Sequence, residues 1–267
     1  MFGPIERFSY TRQRSYTPPE APLSEYLEVL DTLGVDRGVV VQPSVYGTDN
    51  SATLDALRRY GDRLRGVAVV DENVDDFTLY EMHALGVRGL RVNVLFAGGV
   101  GLDRAERLAG RVAPLGWHLQ FLIDISETPD FARRLAALPV DSVIDHMGHM
   151  PADLGAEHRA FQDLLSLLEE GRTWVKLSGS YRLASQERPP YTDVKPLARA
   201  LVEARSDRLV WATDWPHPAV RIPMPNVGDL LDMFADWVPE PDLRQRILVQ
   251  NPELLYGFTS PDKPGSR

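Results

Sequence analysis

Apolar residues along this chain fall into two alternating patterns. Short continuous runs rich in Val, Leu and Ile cover residues 37–44, 64–70, 87–94, 118–124, 141–148, 173–180 and 209–214. Between them, residues 23–33, 50–60, 75–85, 103–115, 127–137, 157–170 and 194–205 carry apolar positions every three or four residues, as do 227–237 and 240–250 at the end. A continuous run too short for a helix and closed by turn residues reads as a strand buried on both faces, whereas the spaced pattern reads as an amphipathic helix. Leu27, Leu30 and Leu33 make one such stripe, and Gly34 supplies its stop.

Strands that alternate with helices predict a parallel sheet covered by helices. No Gly-x-Gly-x-x-Gly turn follows any run, so a dinucleotide-binding open sheet loses its main support, and 267 residues suit one (β/α)8 barrel. The expected fold class is therefore α/β: a TIM-like (β/α)8 barrel forming one domain over residues 1–267, lacking its first strand because only seven runs are present. Residues after Tyr256 are rich in proline, glycine and charge and offer no strand. The missing strand is expected to precede Met1, in a sequence that begins late. The alternative is an open barrel in which residues 5–12 line the gap and two strand edges need cover. Residues 1–22, with Pro4, Pro18, Pro19 and Pro22, show neither period and read as an ordered arm across the surface.

In a parallel barrel the loops after the strands form the active face. The last run leads into Asp214-Trp215-Pro216-His217-Pro218, where prolines cannot continue a ladder, so Asp214 is expected at the C-terminal lip. On this segment alone, an aspartate that caps the next helix is the plainer alternative. His146 ends another apolar run on the same rim; a lone histidine there is more often a satisfied core group, and its pairing with Asp214 shifts the reading towards function. Arg91 interrupts the apolar stretch 89–94, and a buried guanidinium needs an anion from the protein or from a substrate. Arg182 follows Ser178-Gly179-Ser180-Tyr181, and two arginines with a tyrosine at one mouth suit a carboxylated ligand. Ser44, Ser178 and Ser180 lie near the rim, but no Gly-x-Ser-x-Gly elbow marks a serine nucleophile.

Composition narrows the chemistry. The chain has no cysteine, which excludes disulfides, thiolate nucleophiles and thiolate ligands. No His-x-His occurs, and His146 with Asp214 is the one ligand pair among the strand ends, so neither a metal nor another cofactor is expected. A net charge of -9 without a basic cluster opposes nucleic-acid binding. No apolar run approaches the roughly 20 residues of a spanning helix, and no signal pattern opens the chain, so no membrane partner and a cytoplasmic location are the default. The expected partner is a small molecule; an oligomer is left open.

Longer stretches carry a resemblance: Arg14-Ser15-Tyr16-Thr17-Pro18-Pro19-Glu20-Ala21-Pro22, Val41-Gln42-Pro43-Ser44-Val45-Tyr46-Gly47-Thr48-Asp49-Asn50, Gly86-Val87-Arg88-Gly89-Leu90-Arg91, Asp145-His146-Met147-Gly148 and Ala212-Thr213-Asp214-Trp215-Pro216-His217-Pro218. In these the chain resembles the amidohydrolase superfamily, in the branch of 2-pyrone-4,6-dicarboxylate hydrolase, related lactone hydrolases and certain metal-dependent decarboxylases. The resemblance implies metal-independent or weakly metal-dependent hydrolysis of a carboxylated lactone from aromatic catabolism. Asp214 would deprotonate water and His146 would help polarise the carbonyl. Arg91 and Arg182 would hold substrate carboxylates, assisted by Ser44, Tyr46 and Thr48. A zinc-dependent amidohydrolase, a non-oxidative decarboxylase and a carboxylate-binding remnant are the alternatives. Two departures stand out. The family's opening Asp-x-His-x-His strand, with two histidines that help hold the carbonyl oxygen, is replaced by Met1 before Phe2-Gly3-Pro4. The loop 96–101 has no arginine, which admits a monocarboxylate or a differently substituted lactone.

Overall fold

The structure is a computed structural model that describes residues 1–97 and 99–258. Its centre is one parallel sheet of seven strands in sequence order: β1 (Gly38–Val41), β2 (Leu64–Ala68), β3 (Val87–Asn93), β4 (His118–Leu122), β5 (Ser142–Ile144), β6 (Thr173–Leu177) and β7 (Leu209–Trp211). Every neighbouring pair is parallel, with registers such as Arg91 opposite Gln120 and Val143 opposite Trp174. All seven runs become strands, and β4, β5 and β6 are buried at every residue, as expected of strands covered on both faces. Helices follow the strands and bury their stripes against them; Phe161, Leu164, Leu167 and Leu168 of the helix Arg159–Glu170 are one such set.

The sheet curls until its two outer strands face a common cavity of about 1150 Å³, whose wall takes Gly38–Val41 from β1 and Val210 and Trp211 from β7. Among the described residues no strand lies between these edges, so the architecture is a distorted (β/α)8-type barrel with seven strands. The arm does not fill the gap with residues 5–12. Instead Met1, Phe2 and Tyr16 line the cavity; exchanged hydrogen bonds between Phe2 and Ala21 (2.7 and 2.8 Å) close the arm on itself, and Thr11 N–H on the Val45 carbonyl (2.7 Å) ties it to the barrel. Residues 259–267, most of the tail excluded as a strand, lie outside the described residues, as does Gly98 of the loop 96–101.

Several boundaries differ from the periodicity, three of them with a visible cause or consequence. The helix expected over 127–137 starts only at Phe131, because Asp124 Oδ1 captures the Ser126 N–H (2.9 Å) and hydroxyl (2.6 Å) in a local turn. The last helix runs past residue 250, through a wide turn at Arg246–Gln250, into Asn251–Tyr256. The run 141–148 keeps only Ser142–Ile144 as strand. His146, Met147, Gly148 and His149 then all take left-handed backbone (φ 51, 51, 84 and 55°).

Candidate active site

That left-handed turn aims His146 back over the mouth of the barrel. Left-handed backbone is costly for residues with a Cβ and concentrates where side-chain placement matters more than local stability. Asp214 (φ 55°) and His217 (φ 57°) share it on the facing loop after β7. The two loops bring His146 Nε2 to 3.6 Å from Asp214 Oδ1. Asp214 does not cap the next helix; Asn226 does that for Val227–Trp237.

The surroundings of Asp214 are dense. Its Oδ2 accepts from Arg182 Nε at 2.6 Å and from the Tyr181 hydroxyl, and Tyr181 Oη lies 3.0 Å from Nδ1 of the buried His217. Arg182 also donates to the Pro218 carbonyl at 3.0 Å. Both Tyr181 and Arg182 belong to a short helix, Ser180–Leu183, that the sequence pattern does not announce. Burial by itself would raise the Asp214 pKa, but His146 and Arg182 opposite it, with the Tyr181 hydrogen bond, hold it far below the usual carboxylate range.

His146 is fixed on its other side by Ser178 Oγ, 3.0 Å from Nδ1. Burial lowers its pKa to about 4 despite Asp214 and Asp145 nearby, so the ring is neutral at pH 7. Gly179 sets the spacing: with φ 65°, a Cβ there would lie 2.7 Å from His146 Nδ1. Gly179→Ala is therefore expected to push the imidazole off Ser178 and to lower turnover at least tenfold, with a smaller effect on KM; steady-state kinetics checks it.

Below this pair lies a second polar group. Asp145, 2% exposed, accepts from Lys176 Nζ (3.0 Å), from Arg91 (3.3 Å) and from Gln120 Nε2 (3.0 Å to each oxygen). Arg91 also reaches the Gln42 carbonyl at 3.4 Å. Burial opposes the Asp145 charge, but Lys176 and Arg91 outweigh it and bring the carboxyl down to about 2. Around the upper cavity three cations, Arg91, Lys176 and Arg182, thus face two carboxylates, Asp145 and Asp214. One positive charge is left for a ligand.

Of the sequence-derived candidates, Asp214, His146, Arg91, Arg182 and Ser44 line one cavity. Tyr46 and Thr48 do not. After Pro43 the chain enters a tight turn, Ser44–Tyr46, that leaves Ser44 on the cavity side and carries Tyr46 under the arm, where its hydroxyl accepts from Gly3 N–H at 2.8 Å. Thr48 is exposed, and its carbonyl accepts from Asn50 Nδ2 at 3.0 Å. Asp145, Lys176 and Tyr16 were missed, although a lysine within Trp174-Val175-Lys176-Leu177 is the same signal that singled out Arg91.

A metal does not fit these donors. Among the described residues no three His, Asp or Glu side chains converge on one point, and the guanidinium on Asp214 would repel a cation there.

The buried imidazoles make the fold acid-sensitive. His146 and His118 are held neutral by burial, with pKa values of about 4 and about 3 against 6.5 when free. Folded pKa values below the unfolded one mean that protons prefer the unfolded chain. Stability is therefore complete above pH 6.5 and declines as the pH falls towards those values. Asp145 and Asp214, depressed below 3.8, lose their contribution only at still lower pH. The urea midpoint is expected to be lower at pH 5 than at pH 7.5.

The chain as a whole is similar to known proteins. The family model described as Amidohydrolase matches residues 1–258. The chain is 38% identical over 263 residues to 4-sulfomuconolactone hydrolase of Hydrogenophaga intermedia, covering 96% of this chain and 86% of that protein. It is 36% identical over 266 residues to 2-pyrone-4,6-dicarboxylate hydrolase of Comamonas testosteroni, covering 96% and 87%. In structure it is similar to a probable 2-pyrone-4,6-dicarboxylic acid hydrolase of Acinetobacter baumannii with citric acid bound, at a TM-score of 0.81 and 29% identity over 94% of this chain and 95% of that one.

Proposed function

This chain belongs to the amidohydrolase family, and on that premise we propose that it hydrolyses a small lactone bearing an anionic substituent. The observation that carries the reading is the facing pair Asp214 and His146, 3.6 Å apart, at the end of the cavity where three cations, Arg91, Lys176 and Arg182, meet two carboxylates, Asp145 and Asp214. Names of relatives support the substrate class: both curated relatives act on lactone-type rings carrying sulfonate or carboxylate groups, and citric acid is bound to the solved one.

Asp214 takes a proton from water as the water oxygen attacks the lactone carbonyl carbon. His146, neutral at pH 7, donates from Nε2 to the carbonyl oxygen as negative charge grows on it. This needs the tautomer with the proton on Nε2, in which Nδ1 accepts from the Ser178 hydroxyl 3.0 Å away. Collapse of the tetrahedral intermediate breaks the ring C–O bond, and the proton held by Asp214 passes to the leaving oxygen. The products are a ring-opened carboxylate with a free hydroxyl and one proton released to solvent. Arg182, Arg91, Lys176 and Ser44 line the wall against which the anionic substituent rests.

The test is a panel of lactones with carboxylate, sulfonate or no charged substituent, assayed with and without chelator. Chelator-insensitive ring opening of the anionic members is expected. Binding without turnover across the panel would reject the reading, and activity lost on chelation and restored by zinc would redirect it.

A further inference from the structure

Asp214 is held in a way that ill suits a base. Both acceptor positions on Oδ2 are taken, by Tyr181 and by Arg182 Nε at 2.6 Å, and Oδ1 looks towards His146. A carboxylate bound to a guanidinium has little affinity for a proton, and general-base efficiency falls as the pKa drops away from the working pH. Arg182 in turn is only 10% exposed, so it cannot leave Asp214 without another anion to receive it.

We infer that Arg182 is a substrate-sensing specificity residue: at rest its guanidinium occupies Asp214, and an anionic substituent on the bound ring draws it away and frees the carboxylate to act. This role presupposes Asp214 as the base of the proposed hydrolysis. A carboxylate or sulfonate replaces Asp214 as a partner of equal charge and similar hydrogen-bonding geometry, whereas a neutral ring offers nothing comparable and leaves the pair closed. The surrounding charges permit the exchange. Arg91 and Lys176 are already shared on Asp145, so a substrate anion brings three cations opposite three anions. The guanidinium also has a second anchor, the Pro218 carbonyl at 3.0 Å, about which it can turn without losing every hydrogen bond. The other groups near Asp214 are Tyr181, His146, His149, His217, Lys176, Tyr16 and the Met1 amino group. Arg182 alone among them donates a charged hydrogen bond to it, which marks it as the side chain whose removal changes Asp214 most.

Two measurements test this. The first needs no turnover: crystal structures of the full chain with cyclohexanecarboxylate and with neutral cyclohexanecarboxamide. With the carboxylate, Arg182 is expected on the ligand and beyond hydrogen-bond reach of Asp214; with the amide, the resting contact is expected to persist. A pair that stays closed in both, opens in both, or fails to bind the carboxylate at saturating concentration overturns the inference. The second is kinetic. The acidic limb of kcat is expected about 1–3 pH units higher for a sulfonated lactone than for its uncharged counterpart, while the limbs of kcat/KM coincide because they report the free enzyme and neither free substrate titrates in that range. Arg182→Gln is expected to raise the kcat/KM limb by a similar amount and to reduce the preference for the anionic substrate at least tenfold. Equal kcat limbs for the two substrates would overturn the sensing role even if hydrolysis is robust. Absence of any hydrolysis would reject the proposed function and leave the crystallographic result to be judged separately.

Discussion

Asp214→Asn is expected to lower kcat by about 10²- to 10⁴-fold on any lactone the protein opens, with KM changed far less. The amide keeps the shape and one oxygen acceptor, so the Tyr181 hydroxyl and Arg182 Nε retain a partner where they now meet Oδ2. What disappears is the capacity to accept a proton from water. Arg182 loses its counter-charge, yet it borders the cavity and still holds the Pro218 carbonyl. The purified variant should therefore keep its circular dichroism and a cooperative melt. Rates within threefold of the parent would assign the base to another group.

Asp145→Ala is expected to be the most destabilising single change in the barrel, by about 3–5 kcal/mol, because it strands buried cations without their anion. Lys176 and Arg91 would both lose their carboxylate, and the Gln120 amide would lose its acceptor. A domain has on the order of 5–15 kcal/mol in total, so such a loss removes much of its margin. Urea unfolding measures it directly. The double variant Asp145→Leu with Lys176→Met should recover part of the loss, since replacing a buried ion pair by apolar groups is often neutral or favourable. No recovery would mean that Arg91 alone carries the penalty.

The layout of this protein was legible in its sequence because the signals for it are local. Seven apolar runs alternating with spaced stripes specify strands buried on two faces and helices buried on one, and all seven runs became parallel strands in chain order. Pro216 and Pro218 bar a continuing ladder, so an acid at the rim could be read from neighbours alone; β7 in fact stops at Trp211. Arg91 could be read as a group needing an anion, since burial is encoded by its flanking residues. Which anion could not. Asp145 lies 54 residues away, and the two meet only because the curl of the sheet turns the ends of β3 and β5 into one interior. The same holds for Arg182 and Asp214, 32 residues apart, and for Tyr46, which a tight turn after Pro43 diverts from the cavity to the arm. Local pattern determines how deeply a side chain is buried, because burial follows periodicity. Its partner is decided by tertiary structure, because charge and hydrogen bonding act between atoms that only the closed sheet brings within about 3 Å.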